Sequence, residues 1–392
     1  MKKIVYSILA LILVGAVAFF TLAPGIVEKS MNKIDGKPLP EISAEAQALH
    51  NSLDIVDLHS DTLMWKRSLL TATDRGHMDL PRLQAGNVAL QVFSSVTKTP
   101  TNQNYDSNSA EGDNITSLVI AQLQPTHTWN SLLERSLYHA KKLDDAAAGA
   151  SGSLVKVAST PDLEKLLLSR RNAKPRTVGA LLSIEGLHDL EGDPANLAKL
   201  YDAGFRMASL THFFDNQLAG SMHGEKKGGL TDMGRKVMRE MEARGMIVDI
   251  AHLSHAGVAE VLAMAKRPVV SSHGGVQATC KVNRNLTDEE ITGVAATGGI
   301  IGIGYWDGAV CDTSPASVAK AMKHVRDLVG IEHVALGSDY DGATTVRFDT
   351  SGLAQVTQAL MDAGFTQAEI RAVMGGNAIR VLTAGLKPEA AQ

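Results

Sequence analysis

Seven residues able to hold a metal ion or move a proton stand at the ends of short apolar runs in this 392-residue chain. His59 and Asp61 follow "IVDL", and Glu185 ends "VGALLSIE". His212 ends "RMASLTH", His252 ends "MIVDIAH", His273 ends "PVVSSH", and Asp339 lies within "VALGSDYD". One imidazole in such a place is an ordinary hydrogen-bonded core residue. Seven acids and imidazoles at the same end of successive runs describe a site, if the runs are neighbouring strands. Imidazole with carboxylate and no thiol suits zinc in a hydrolytic centre. Five or more such ligands exceed what one tetrahedral ion needs, so two metal ions sharing a carboxylate is the simplest reading.

The stretch "DIVDLHSDTLMW" is the most telling. In an extended strand Asp57, His59 and Asp61 share one side with Ile55, while Val56 and Leu58 take the other. Flanking apolar residues argue that both sides are covered, and buried carboxylates need a metal, a partner or hydrogen bonds. His59 and Asp61 read as ligands. Asp57, one layer deeper, reads as a carboxylate that orients its neighbours.

The elements that must position these groups are eight strands, at 55–59, 88–96, 178–185, 206–212, 246–252, 268–273, 299–305 and 334–341. Helical patterns such as "PANLAKLYDAG" and "MGRKVMREMEARG" lie between most of them, several ending in Gly. Alternation of this kind predicts an α/β fold with a parallel sheet. Eight units in about 340 residues fit a closed (β/α)8 TIM-type barrel, whose active site lies at the C-terminal ends of the strands. No G-x-G-x-x-G or Walker loop follows the first strand. Residues 97–177 form a long insertion over the barrel mouth, polar at 97–114, helical over 128–148, and flexible at "AAAGASGS". His77, His223, His255, His324 and His333 read as solvated, His188 as a neighbour of the site, and Asp341 as a residue that shapes its loop. The run "GEKKGG" at 224–229 reads as a solvated turn.

Residues 1–23 are a different material: "MKK", then Ile4 to Ala23 without a charge. Such a segment is long enough to span a bilayer and also fits a secretory signal, with "AVA" at 16–18 as a cleavage site. The leading lysines put the body outside, in the periplasm or on the outer face of the inner membrane of a bacterium. Residues 24–50 read as a linker and an entry helix capped by Ser43. The net charge of −4 gives no electrostatic case for nucleic acid. Two cysteines, Cys280 and Cys311, suit a disulfide in an exported chain and free thiols in a cytosolic one.

The motifs "DLHSDTLMW", "SIEGLH", "LTHFFDN", "DIAHLS", "VVSSHGG", "NRNLTDEEI" and "GSDYDG", in that order, resemble those of the renal (membrane) dipeptidase family of zinc metallopeptidases. The resemblance covers residues 50 to 385. It implies a (β/α)8 barrel with two zinc ions per chain that hydrolyses dipeptides. By resemblance, His59 and Asp61 hold the first zinc, Glu185 bridges both, and His252 and His273 hold the second. It likewise implies His212 near the substrate carbonyl, Arg284 on the substrate carboxylate, Asp339 as the proton carrier, Tyr305 as a pocket tyrosine, and a Cys280–Cys311 bridge. Two zinc ions can bring a shared water towards hydroxide near neutral pH, for attack on the peptide carbonyl. A dipeptide is the implied partner, the membrane a second one where the N-terminal segment is retained, and a homodimer is left open. Two rivals stand beside this reading: hydrolysis of another small amide or lactam, and a maturation protein that keeps the barrel without the activity.

Overall fold

The computed structural model describes residues 2–171 and 176–387; residues 172–175 of the expected insertion, and Met1, lie outside them. The eight expected strands form. They are β1 (Ile55–Asp57), β2 (Val88–Ser95), β3 (Val178–Ile184), β4 (Phe205–Ser209), β5 (Ile247–Asp249), β6 (Val270–Ser271), β7 (Ile300–Ile303) and β8 (Val334–Leu336). Each pairs in parallel with its neighbour in the chain, and β8 pairs with β1, so the sheet closes on itself. Strands covered on both faces carry continuous apolar runs rather than alternation; β2 and β3 are buried along their whole length. Residues from all eight strands, from Val56 to Ala335, meet in one apolar cluster with Ala378, Val381 and Leu382 of the C-terminal helix. A larger cluster joins the strands to the surrounding helices.

Local signals set the helix limits. Thr231 caps the helix Asp232–Arg244, and Gly245 stops it at φ 77°. Thr287 and Glu290 cap each other's backbone at the helix Asp288–Ala296, a reciprocal arrangement that satisfies two free N–H groups. Ser43 caps the entry helix Ala44–His50.

Three features depart from the expected plan. First, the apolar N-terminal helix α1 (Lys2–Met31) does not stop at Ala23 but runs on through Pro24. The reason is tertiary: Glu28 is buried and paired with Arg67 at 2.5 Å and Arg75 at 2.8 Å. Asn32 then accepts the N–H of Ala343, and Lys33–Ile34 pairs with Thr345–Val346. Second, residues 97–171 hold more regular structure than expected. They include α2 (Asn114–Ala121), α3 (Leu132–Gly149), and a short strand Leu154–Lys156 beside the start of β3. Part of "AAAGASGS" is therefore the last turn of α3. Third, β1 ends at Asp57, and Asp61 begins a turn at φ −102°, ψ 23°. The strict alternation predicted through Asp61 is lost, yet His59 and Asp61 still converge.

Candidate active site

The seven polar residues meet at one rim. Each is supplied by the stretch just beyond a strand: His59 and Asp61 after β1, Glu185 after β3, His212 after β4, His252 after β5, His273 after β6, Asp339 after β8. All are buried. Two of them, His252 (φ 64°) and Asp339 (φ 59°), hold left-handed backbone that ordinary side chains rarely adopt. Such strain is kept where the surrounding structure requires a side chain to point one way. Gly186, at φ 88°, turns the chain directly after Glu185, and a side chain there would strike the His188 ring and His212.

Glu185 is the centre of the arrangement. Its Oε1 lies 2.7 Å from His252 Nε2, 3.1 Å from His273 Nε2 and 3.6 Å from His212 Nε2. Its Oε2 lies 3.5 Å from His59 Nε2, which is itself 3.3 Å from Asp61 Oδ1. One carboxylate thus presents an oxygen to each of two ligand sets. Burial opposes its charge, but His212 and His59, with hydrogen bonds from His252 and His273, hold Glu185 well below the usual carboxylate range. Burial lowers His252 and His273 well below the ordinary imidazole value, so both offer neutral nitrogens. Burial works against charge on His59 too, but the Glu185 and Asp61 carboxylates outweigh it and raise that imidazole well above the ordinary value.

The donor set fits a metal. His59 Nε2, Asp61 Oδ1 and Glu185 Oε2 are buried atoms without a hydrogen-bond partner, and they form one group with ligand-type spacing. Leaving three such atoms unsatisfied is costly, and a cation satisfies all three. Two further groups of this kind overlap with it: Glu185, His212 and His252, and His59, His273 and Asp339. His212 thus stands with His252, and His273 with His59 and Asp339.

Asp339 Oδ1 is 4.0 Å from His59 Nε2. Burial and the neighbouring Asp61 carboxylate push its pKa well above the usual carboxylate range. Arg284 is buried, donates to the carbonyl oxygen of His273 at 2.8 Å and faces the cavity. Among the described residues no carboxylate lies within 4.0 Å of its guanidinium. Cys280, four residues before it, is disulfide-bonded to Cys311, with Cα atoms 5.4 Å apart.

Tyr305, expected in the pocket, lies neither among the convergent ligands nor on the cavity surface. Its ring packs on Tyr340 and Phe348, and it is fully buried. At that place the cavity is lined by Trp306 and by Tyr105, whose hydroxyl accepts from Trp306 Nε1 at 3.0 Å. Tyr105 sits in an aperiodic polar stretch and carries no sequence signal. Two histidines expected in solvent are buried instead. The backbone N–H of His77 donates to Asp341 Oδ1, and His223 stacks on Phe213 and binds the carbonyl of Tyr105 through Nδ1. His255, His324 and His333 remain at least partly exposed. His188 bonds Thr97 at 3.0 Å, one layer outside the cavity. Asp341 bonds Thr62 at 2.7 Å and pairs with Arg67, which fixes the loop after β8. The "GEKKGG" turn is solvated from Glu225 to Gly228.

Comparison with known proteins places the chain in a family. The sequence profile of the membrane dipeptidase family (peptidase family M19) matches residues 43–389. The chain is 29% identical over 407 residues to dipeptidase aclJ of Aspergillus oryzae, covering 97% of this chain and 88% of the relative. It is 34% identical over 215 residues to dipeptidase verJ of Clonostachys rogersoniana, covering 52% of this chain and 55% of the relative. Among solved structures, the probable dipeptidase PvdM of Pseudomonas aeruginosa superposes with a TM-score of 0.71 at 18% identity, covering 87% of this chain and 97% of that one. A metallo peptidase from Rhodobacter sphaeroides, solved with a phosphinate mimic of L-Ala-D-Ala, superposes with a TM-score of 0.67 at 19% identity, covering 85% and 99%. The chain belongs to the membrane dipeptidase family, and is a metallodipeptidase built on a (β/α)8 barrel.

Proposed function

We propose that this enzyme hydrolyses the peptide bond of small dipeptides with two zinc ions per chain, outside the cytoplasmic membrane of a bacterium. The observation that carries the reading is Glu185, whose two oxygens face separate ligand sets. His59 and Asp61 would hold one ion, and His252 and His273 the other. When bound, the ions supply Lewis acidity and a water activated near neutral pH.

The chain's own residues do the rest. Arg284, a planar fork of donors with no carboxylate within 4.0 Å among the described residues, suits the free carboxylate of a substrate. Holding that end fixes the scissile amide over the rim, which is the positioning contribution to the rate. His212 donates to the carbonyl oxygen as charge develops there. Asp339, with its raised affinity for protons, takes one from the attacking water and returns it to the leaving amine. A site that grips a free carboxylate this close to the reacting atoms limits the substrate to two residues.

Kinetics of the zinc-loaded protein on a panel of L,L and L,D dipeptides, alongside lactams and acylated amino acids, test the reading. Turnover should be highest on dipeptides. Turnover of the other amides alone would favour the rival hydrolase, and no turnover at all would favour a non-catalytic role.

A further inference from the structure

The cavity over the site exceeds what two amino acids fill. It encloses about 910 Å3, near the top of the roughly 300–1,000 Å3 typical of pockets for drug-sized ligands. Its floor is polar, with Asp61, Glu185, His252, Arg284 and Asp339. One wall is apolar. Trp65, Val96, Ile115 and Leu118 supply it from the barrel and from α2, and Phe19 and Val27 complete it from α1.

That last contribution is unexpected, because α1 is also the element with an unpartnered apolar surface. Ile4 and Leu13 are 65% and 66% exposed. At 1.5 Å per residue, the uncharged turns from Ile4 to Phe19 extend for about 22 Å, most of a bilayer's hydrocarbon thickness. The cavity-lining turns follow at once. They are fixed to the body by polar bonds: Glu28 to Arg67 and Arg75, Lys29 to Asp74 at 2.8 Å, and Asn32 to the N–H of Ala343. Arg67 in turn pairs with Asp341, two residues beyond Asp339. The mouth of the catalytic cavity therefore lies where α1 leaves its apolar stretch.

We propose that this apolar wall binds a long apolar chain carried by the substrate, a dipeptide-like amide that enters from the membrane surface along α1. The proposal rests on the peptidase reading above. Continuity with the polar floor argues for a chain on the substrate itself: one cavity offers Arg284 for a carboxylate and Phe19 with Val27 for an apolar tail.

The test uses the full chain, zinc-loaded, in lipid nanodiscs. Alanyl-alanine is compared with analogues carrying norleucine or α-aminododecanoic acid at the first position, and in a second series at the second position. In one series kcat/KM should climb with chain length, by up to about threefold to fourfold for each fully buried methylene. Ala23→Trp, which fills the wall, and Val27→Glu, which charges it, should each reduce the long-to-short ratio at least tenfold. A climb that persists in both variants reflects partitioning into the bilayer and overturns the proposal. So do two flat series with alanyl-alanine still turned over, an outcome that leaves the dipeptidase reading standing. Series that are flat in nanodiscs but climb once lipid is stripped would assign the wall to bilayer acyl chains, and overturn it too. Absence of turnover on every member overturns the peptidase reading, and this proposal with it.

Discussion

Asp57 Oδ1 accepts the backbone N–H of Ser338 at 3.1 Å, and that of His59 at the same distance. One carboxylate oxygen thereby ties the end of β1, which leads to two ligands, to the end of β8, which leads to Asp339. Asp249 repeats the device further round the barrel. Its Oδ1 accepts from Ala251 at 2.9 Å and Ser272 at 3.0 Å, tying the approach to His252 to the approach to His273. Groups that orient metal ligands typically contribute about 10- to 100-fold in metal affinity. Asp57→Ala should weaken zinc binding by that order in a chelator competition, while Asp57→Asn, which keeps an acceptor, should lose much less. Equal affinity in Asp57→Ala and the unmodified protein would refute the role.

Elemental analysis should find two zinc per chain. Glu185→Gln keeps the shape but loses the charge shared between the ligand sets, so both metal content and hydrolysis should fall; His252→Ala should do the same. One ion per chain in fully active protein would refute a two-metal centre.

Asp339→Asn should retain zinc yet cut kcat by about 10²- to 10⁴-fold, the usual worth of general acid–base catalysis. Its buried carboxyl is proton-retentive, so the variant should also flatten the acid limb of the pH–rate profile. Loss of metal on the same substitution would make Asp339 a ligand instead of a proton carrier.

Arg284→Met should raise KM for dipeptides with a free carboxylate far more than for the corresponding dipeptide amides. Losing a charge-assisted bond to a carboxylate costs on the order of 1.5–3 kcal/mol, or about 10- to 100-fold. An equal effect on acids and amides would detach Arg284 from carboxylate recognition.

Away from the site, burial raises Asp189 to about 7, against hydrogen bonding from Ser136 at 2.6 Å. The folded chain then holds a proton that the unfolded chain has released. That stabilisation is full below the unfolded value of about 4 and lost as pH rises through about 7. Asp189→Asn should remove this dependence and be the more stable protein at pH 8, by up to about 4 kcal/mol. Parallel melting curves for both proteins at pH 5 and pH 8 measure it, and an unchanged difference between the two pH values would count against the assignment.

Much of the site could be read from residue types because each strand announces its end with one acid or imidazole. His59, Glu185, His212, His252 and His273 need only their strand to be placed, and eight apolar runs at regular spacing leave few alternatives to a barrel. The misses share a cause. His77 and His223 look like loop residues locally; what buries them is Asp341 in one case and Phe213 with Tyr105 in the other, far along the chain. The chain from residue 24 reads as a linker, and only the distant arginines at 67 and 75 explain why the helix continues. Tyr305 packs against Tyr340, while its neighbour Trp306 turns to the cavity.

Glu28 also redraws the line between a catalytic body and a detachable leader. Trimming after Met31, the natural cut for preparing a soluble form, would strand the buried Arg67 without one of its two acidic partners and leave Arg75 without its buried one. Breaking a buried pair from one side costs about 3–5 kcal/mol, a large part of a domain's whole stability. A cut just before Phe19 removes the exposed apolar turns ahead of it and keeps every one of those contacts, so a trimmed enzyme that retains them begins inside its own apolar helix.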